Sequence, residues 1–135
     1  MPSYGPPITT DQAKKVASVA LAHARANGWT MAAAVVDPNG TLVYFEKIDD
    51  TQHASAEIAV DKARSAAMFK RPTKTFQDSV EKGGIGLRVM MLRGAMPVEG
   101  GVPIVIDGKI VGGLGISGGT AEQDGQCAKA ATDAL

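Results

Sequence analysis

Two short turn signals, each between two apolar runs, constrain the fold of this chain more than any other feature. One is Asp37-Pro38-Asn39-Gly40 and the other is Asp107-Gly108. The runs cover residues 31–36 and 41–45 around the first turn, and 103–106 and 109–117 around the second. Polar turns that contain glycine are typical of hairpins when they separate β-rich runs. The sequence therefore predicts two β-hairpins and antiparallel strand pairing.

Helix signals surround both hairpins. The segments Thr9-Thr10-Asp11-Gln12 and Thr120-Ala121-Glu122-Gln123 both fit the capping box that begins a helix. Pro72 ends an alanine-rich helix, and Thr73 is expected to cap a short helix that follows. The predicted helices cover about residues 10–27, 54–70, 73–82 and 121–134.

The order of these elements is helix, hairpin, helices, hairpin, helix. It predicts an α+β fold, in which helices flank an antiparallel sheet of two hairpins with four or five strands. We expect residues 1–135 to form a single domain. Residues 85–101 give no clear pattern, since 87–92 fit a short strand or a helical turn equally well.

Charge and composition exclude several classes of protein. A formal net charge of +0 argues against a nucleic-acid binder, and no run approaches the length of a membrane helix. The single cysteine, Cys127, and the two histidines, His23 and His53, provide neither a disulfide nor a zinc cluster. Residues 1–10 show no secretory signal, so we expect a cytoplasmic protein, with a mature secreted form as the alternative.

The apolar residues are numerous but small. They make up 44% of the chain, whereas aromatic residues make up only 4%, and 16 residues are glycine. A core of this kind is thin and leaves apolar surface on the helices, which usually marks subunit contacts. We therefore expect a closed homo-oligomer, such as a dimer of dimers or a larger assembly.

The segment from Gly113 to Gly118 fits the glycine pattern of dinucleotide-binding proteins. That fold needs a further parallel strand after the helix, and the chain ends at Leu135. We therefore interpret the glycines as positions of close backbone packing. Residues 117–120 could still present backbone N–H groups to a carboxylate or phosphate.

His23 lies at the edge of the apolar stripe of the first helix, where it is either a packing residue or a ligand. A neutral imidazole beside an apolar pocket is a common axial ligand of haem iron. His53 is expected to face solvent at the start of the second helix. Lys62 and Arg64 are expected on a solvated helix face.

Three methionines, Met90, Met91 and Met96, surround Arg88 and Arg93. They are either packing residues or the wall of an apolar pocket in which an arginine pairs with a ligand carboxylate. The chain has no nucleophile elbow, no paired catalytic carboxylates and no Ser/His/Asp constellation. The sequence thus carries no positive sign of an enzyme.

Five segments in order along the chain resemble the haem-binding HbpS/GlcG-like family, which also occurs as a domain fused to corrinoid adenosyltransferases. These segments are Ala34–Asp37 with Gly40 and Leu42–Val43, Ile58–Ala66, Phe69–Thr73, Glu99–Ile104, and Val111–Gly119 with Gln123–Asp124. The resemblance implies a homo-oligomeric haem (tetrapyrrole) protein with an accessory or sensing role. It implies His23 as the axial iron ligand. On this basis we expect Arg88 or Arg93 to pair with a propionate. The close backbone wall of the groove would come from Gly100, Gly101, Ser117, Gly118 and Gly119.

Two other functions stay open. One is a small-molecule lyase, isomerase or hydrolase of a catabolic operon, whose site lies between subunits. It would use Lys62, Arg71 or Asp124 near the glycine segments. The other is a structural or chaperone-like accessory subunit.

Overall fold

The computed structural model describes all residues 1–135 and contains four strands, four α-helices and one 3₁₀ helix. The helices are α1 (Thr10–Ala26), α2 (Ser55–Phe69), α3 (Thr73–Lys82), the 3₁₀ helix (Gly84–Met91) and α4 (Ala121–Asp133). The strands are β1 (Ala32–Val36), β2 (Leu42–Lys47), β3 (Gly101–Ile106) and β4 (Lys109–Ser117). This order confirms the predicted α+β fold class. None of the helices combines the length and the apolar character that crossing a bilayer requires.

The strands form one antiparallel sheet in the order β2-β1-β4-β3. The two predicted hairpins are β1–β2 and β3–β4, and they join along β1 and β4, where Ala32 pairs with Ser117. Since Gly101 pairs with Gly115, the start of β3 lies at the same end of the sheet as Ser117. We refer to this end as the Ser117 end. The β1–β2 turn, which contains Gly40, lies at the opposite end, the Gly40 end.

Helices cover both faces of the sheet. On one face, Val35, Leu114 and Ile116 pack against α1 and α4 in the larger apolar cluster. On the other face, Ala34 and Val36 pack against the alanines of α2. Because side chains alternate between the faces of a strand, adjacent residues of β1 belong to different clusters. The result is three layers, with α1 and α4 on one side of the sheet and α2 on the other.

The glycines of β4 allow α2 to lie directly on the sheet. A side chain at position 113 or 115 would overlap the backbone of α2 at Ala63 or Ala59, respectively. Both glycines are fully covered. This arrangement confirms that the glycine-rich segment serves close packing.

Local signals located the helix ends with one exception. Both predicted capping boxes are present, at Thr9 with Gln12 and at Thr120 with Gln123. The prediction that Thr73 caps α3 was wrong, because Pro72 occupies the cap position. The Thr73 hydroxyl instead accepts a hydrogen bond from the backbone N–H of Gly101 at 2.9 Å. It therefore fastens α3 to the start of β3.

Candidate functional site

His23 lies near the C-terminal end of α1 and is half-buried. Its imidazole meets the Trp29 indole edge-to-face, with ring centroids 6.1 Å apart. The backbone carbonyl of His23 accepts a hydrogen bond from Asn27, but its ring nitrogens form none within the chain. The side chain thus offers an imidazole beside an aromatic wall, with both nitrogens free to bind.

The loop of residues 117–119 lies at the same end of the sheet as this histidine. Ser117 pairs with Ala32, and a side chain at Gly118 would overlap the backbone carbonyl of Thr30, the residue that follows Trp29. The predicted histidine and the predicted glycine loop therefore both lie at the Ser117 end. Gly119 is exposed there, but its backbone N–H donates to Asp124 and that of Thr120 donates to the Gln123 side chain. The prediction that residues 117–120 present free N–H groups to a carboxylate or phosphate was therefore wrong.

A buried ion pair also lies at the Ser117 end. The ammonium of Lys62 donates to Oδ2 of Asp124 at 2.8 Å and to the carbonyl of Ile116 at 2.9 Å. The other carboxylate oxygen of Asp124 accepts from the backbone N–H of Gly119 at 3.0 Å. Both charged side chains are fully buried. The expectation that Lys62 lies on a solvated face was wrong, whereas Arg64 is exposed as predicted.

Gly100 and Gly101 make room for this ion pair. A side chain at Gly100 would lie 2.8 Å from the Lys62 ammonium and 2.9 Å from Cβ of Asp124. One at Gly101 would overlap the Lys62 carbonyl. Both glycines are buried by these contacts. Gly100 and Gly101 therefore pack directly against the ion pair and do not line an open groove.

Burial changes two titratable groups near the ion pair. It raises the pKa of the Asp124 carboxyl, while hydrogen bonds from Lys62 and from the Gly119 N–H favour the charged form. Burial also raises the pKa of the Cys127 thiol to about 11, and the nearby Asp124 adds to this effect. Cys127 Sγ lies 3.5 Å from the sulfur of Met31. The thiol is therefore protonated and enclosed, which makes it a packing group and a poor nucleophile.

The structure brings together two of the three residues of the enzymatic hypothesis. Lys62 and Asp124 touch, but both are buried too deeply to reach a substrate in this chain. Arg71 lies apart from them, where its Nε donates to the carbonyl of Phe69 and its guanidinium lies over the Phe76 ring at 5.5 Å. This chain alone therefore shows no catalytic constellation.

The structure does not bring the predicted arginines to His23. Arg88 is exposed on the 3₁₀ helix. Arg93 lines a cleft beside α2 that also contains Arg64, and Arg64 contacts Gly40. That cleft is on the opposite face of the sheet from α1 and toward the Gly40 end. Within one chain, His23 and Arg93 thus cannot hold the same small molecule.

The remaining predicted residues lie on the surface. His53 is exposed before α2, as expected. Met90 and Met91 are exposed and do not pack in the core of this chain, whereas Met96 lines the cleft beside Arg93. None of the five principal clefts includes His23. A ligand at the histidine is therefore covered by this chain on one side only.

Similar proteins agree with this fold. The model of a family described as haem degrading protein HbpS-like matches residues 8–133. The GlcG protein of Escherichia coli is 36% identical over 110 residues, which are 82% of this chain and 81% of that protein.

Two solved structures superpose on nearly the whole chain. The PduOC haem complex gives a TM-score of 0.84 at 28% identity and covers 96% of this chain and 95% of that one. A double mutant of HbpS from Streptomyces reticuli gives 0.87 at 26% identity and covers 98% and 90%. Since the family match runs almost from end to end, this chain belongs to the HbpS-like family.

Proposed function

We propose that this protein binds haem (a tetrapyrrole) in an accessory or sensing role, with the imidazole of His23 as the axial ligand of the iron. The proposal rests mainly on the half-buried imidazole of His23, which lies beside Trp29. The ring nitrogens of His23 have no hydrogen-bond partner in the chain. A relative of the same fold, PduOC, was solved as a haem complex. The family is described as a haem degrading protein family.

The residues around His23 fit a haem chemically. Imidazole suits haem iron, and an apolar wall beside it suits the porphyrin. Trp29 provides such a wall, and Val19 lies one helical turn before His23 on the same face of α1 and is partly exposed. The exposed backbone at Gly119 permits a close approach from the other side. Bound haem would supply an iron centre for ligand binding or electron transfer.

A single chain leaves this site open, so we propose that a second copy of the chain completes it. Five large apolar side chains are exposed on or directly after the 3₁₀ helix, and surfaces of this kind usually mark subunit contacts. These side chains are Ile85, Leu87, Met90, Met91 and Leu92. Arg88 lies on this helix, so it is the arginine that would pair with a propionate across such a contact, whereas Arg93 lines a separate cleft.

Titration of the purified protein with haemin tests the proposal. We expect a Soret band that differs from that of free haemin and saturates at a fixed ratio of haem to chains. His23→Ala should remove the shifted band, because the iron loses its ligand. His53→Ala is the matched control, since this exposed histidine lies before α2, and should keep the wild-type spectrum. A wild-type spectrum identical to that of free haemin, or one unchanged in His23→Ala, would overturn it.

A further inference from the structure

A cleft distant from His23 contains two arginines without carboxylate partners. It has a volume of about 560 Å³ and lies between α2 and the segment Arg93–Met96. Arg64 and Arg93 both line it, and neither belongs to any of the four ion pairs of the chain. Asp61 lines the same cleft but lies beyond ion-pair distance of both arginines. Two like charges therefore face one cavity, which favours the binding of an anion.

The walls of the cleft are held in place. The backbone N–H of Met96 donates to the hydroxyl of Ser65, a buried residue of α2, at 3.1 Å. This bond fastens the 93–96 segment to the helix. On the other side, the Arg64 stem packs against Gly40, where a side chain would lie 3.3 Å from Nε of the arginine. Gly40 has φ +84, so glycine is favoured there by conformation as well as by space.

Apart from Asp61, the other side chains that line the cleft are apolar. Met68, Phe69 and Met96 contribute side chains that can cover a hydrocarbon body. Guanidinium groups bind carboxylates in a bidentate manner, and methionine adapts to ligands of varied shape. Asp61 would repel a second carboxylate on the ligand, so the cleft favours one acidic group over two. Its volume is in the range of ordinary small-molecule sites.

We propose that this cleft binds a small organic monocarboxylic acid. The carboxylate lies between Arg64 and Arg93, and the apolar body rests on Met68, Phe69 and Met96. The site is on the opposite face of the sheet from His23, so it stands or falls independently of haem binding. A haem propionate reaching in from a neighbouring chain has the same recognising chemistry, and the experiment separates the two sources.

The test is calorimetric titration of the haem-free protein with hexanoate and with its neutral analogue hexanamide. We expect hexanoate to bind. Hexanamide should bind at least about tenfold more weakly, because the amide cannot form the charge-assisted hydrogen bonds of a carboxylate. Arg93→Gln and Arg64→Gln should each weaken hexanoate by about tenfold. Arg25→Gln, which changes an exposed arginine of α1 outside the cleft, is the control and should leave the affinity unchanged.

Thermal melting of each variant shows whether it is folded. If Arg64→Gln does not fold, Arg93→Gln alone tests the proposal. Equal binding of hexanoate and hexanamide, no binding at millimolar hexanoate, or an equal loss in Arg25→Gln would each overturn the proposal. Haemin added at saturation should leave hexanoate binding intact. Displacement of hexanoate by haemin would assign the cleft to a propionate and refute the free acid as its ligand.

Discussion

The ammonium of Lys62 lies 2.8 Å from a carboxylate oxygen of Asp124, and both side chains are almost completely buried. Lys62 belongs to α2 and Asp124 to α4, which pack on opposite faces of the sheet. The pair therefore joins the two helical layers past the start of β3, where Gly100 leaves the space for it. A buried charge is tolerated only with such a partner.

Removal of one member of this pair should destabilise the protein strongly. We expect Lys62→Met or Asp124→Leu to lower the free energy of unfolding by about 3–5 kcal/mol, because each leaves a buried charge without its partner. The double variant Lys62→Met/Asp124→Leu should cost less than the sum of the single changes. Urea unfolding measures all three.

The exposed ion pair between Lys74 and Asp78 supplies the control for this experiment. Lys74→Met should leave the urea midpoint nearly unchanged, since solvent screens an exposed pair. Strict additivity of the two changes at Lys62 and Asp124 would show that the two groups do not interact as the structure shows.

A methyl group on the central strand should separate α2 from the sheet. Gly115→Ala places a side chain 2.6 Å from the backbone nitrogen of Ala63 and in overlap with Ala59. We expect a loss of about 3 kcal/mol or more, because the backbone of a helix cannot move aside as a side chain can. Gly28→Ala is the matched control, since it has open space and only an unfavourable φ of +72.

That control should cost about 1–2 kcal/mol, from the backbone conformation alone. Differential scanning calorimetry compares the two variants. A Gly115→Ala protein as stable as Gly28→Ala would contradict the close contact between β4 and α2.

Stability should decline in alkali because of Cys127. Burial raises the pKa of this thiol from 9.0 to about 11, so the folded state holds its proton to higher pH than the unfolded state does. The contribution to stability is complete below the unfolded pKa and is lost as the pH rises toward and through 11. At pH 10.5, wild type should have lost about 2 kcal/mol through this group.

Urea unfolding at pH 7.5 and pH 10.5 of wild type and Cys127→Ala measures this contribution. Lysine and tyrosine titrations are common to both proteins, so the difference between their pH dependences isolates the thiol. Equal alkaline losses in the two proteins would refute the raised pKa. Slow reaction of folded wild type with a thiol reagent at pH 8 is a second expected result.

The exposed apolar residues of and after the 3₁₀ helix lead us to expect an oligomer. One chain has a mass of 13.9 kDa, and light scattering should return a multiple of this value at micromolar concentration. Charge placed on the surface, as in Met91→Glu, should lower the mass if this helix forms the contact. A mass of one chain for the wild type would contradict the expectation.

Local signals predicted the fold well because they act over a few residues. The turns at Gly40 and Gly108 and the caps at Thr9 and Thr120 each depend on neighbours in sequence. Lys62 shows the limit, since its partner Asp124 is 62 residues away in sequence. No periodicity in α2 distinguishes a lysine that reaches past the sheet from one in solvent.

The grouping of site residues was predictable only in part. His23 lies just before the connection from α1 to β1, and Gly119 lies in the connection from β4 to α4. Because β1 and β4 are antiparallel neighbours, the start of β1 and the end of β4 are at the same end of the sheet, and so are these two residues. The distance between His23 and Arg93 depends instead on which face each helix covers. Arg64 is exposed as predicted, but nothing near it in sequence indicates that the 93–96 segment forms a cleft with it.

The role of His23 is tested most directly by replacing its imidazole with a free one. His23→Gly removes the side chain and leaves space beside Trp29. We expect haem-loaded His23→Gly to lose the wild-type Soret position and to regain it when imidazole is added, with weaker recovery in acid, where imidazole is protonated. His53→Gly should keep the wild-type position without imidazole. A His23→Gly protein with the wild-type spectrum before imidazole is added would contradict the role of His23, because the iron ligand would then be another residue.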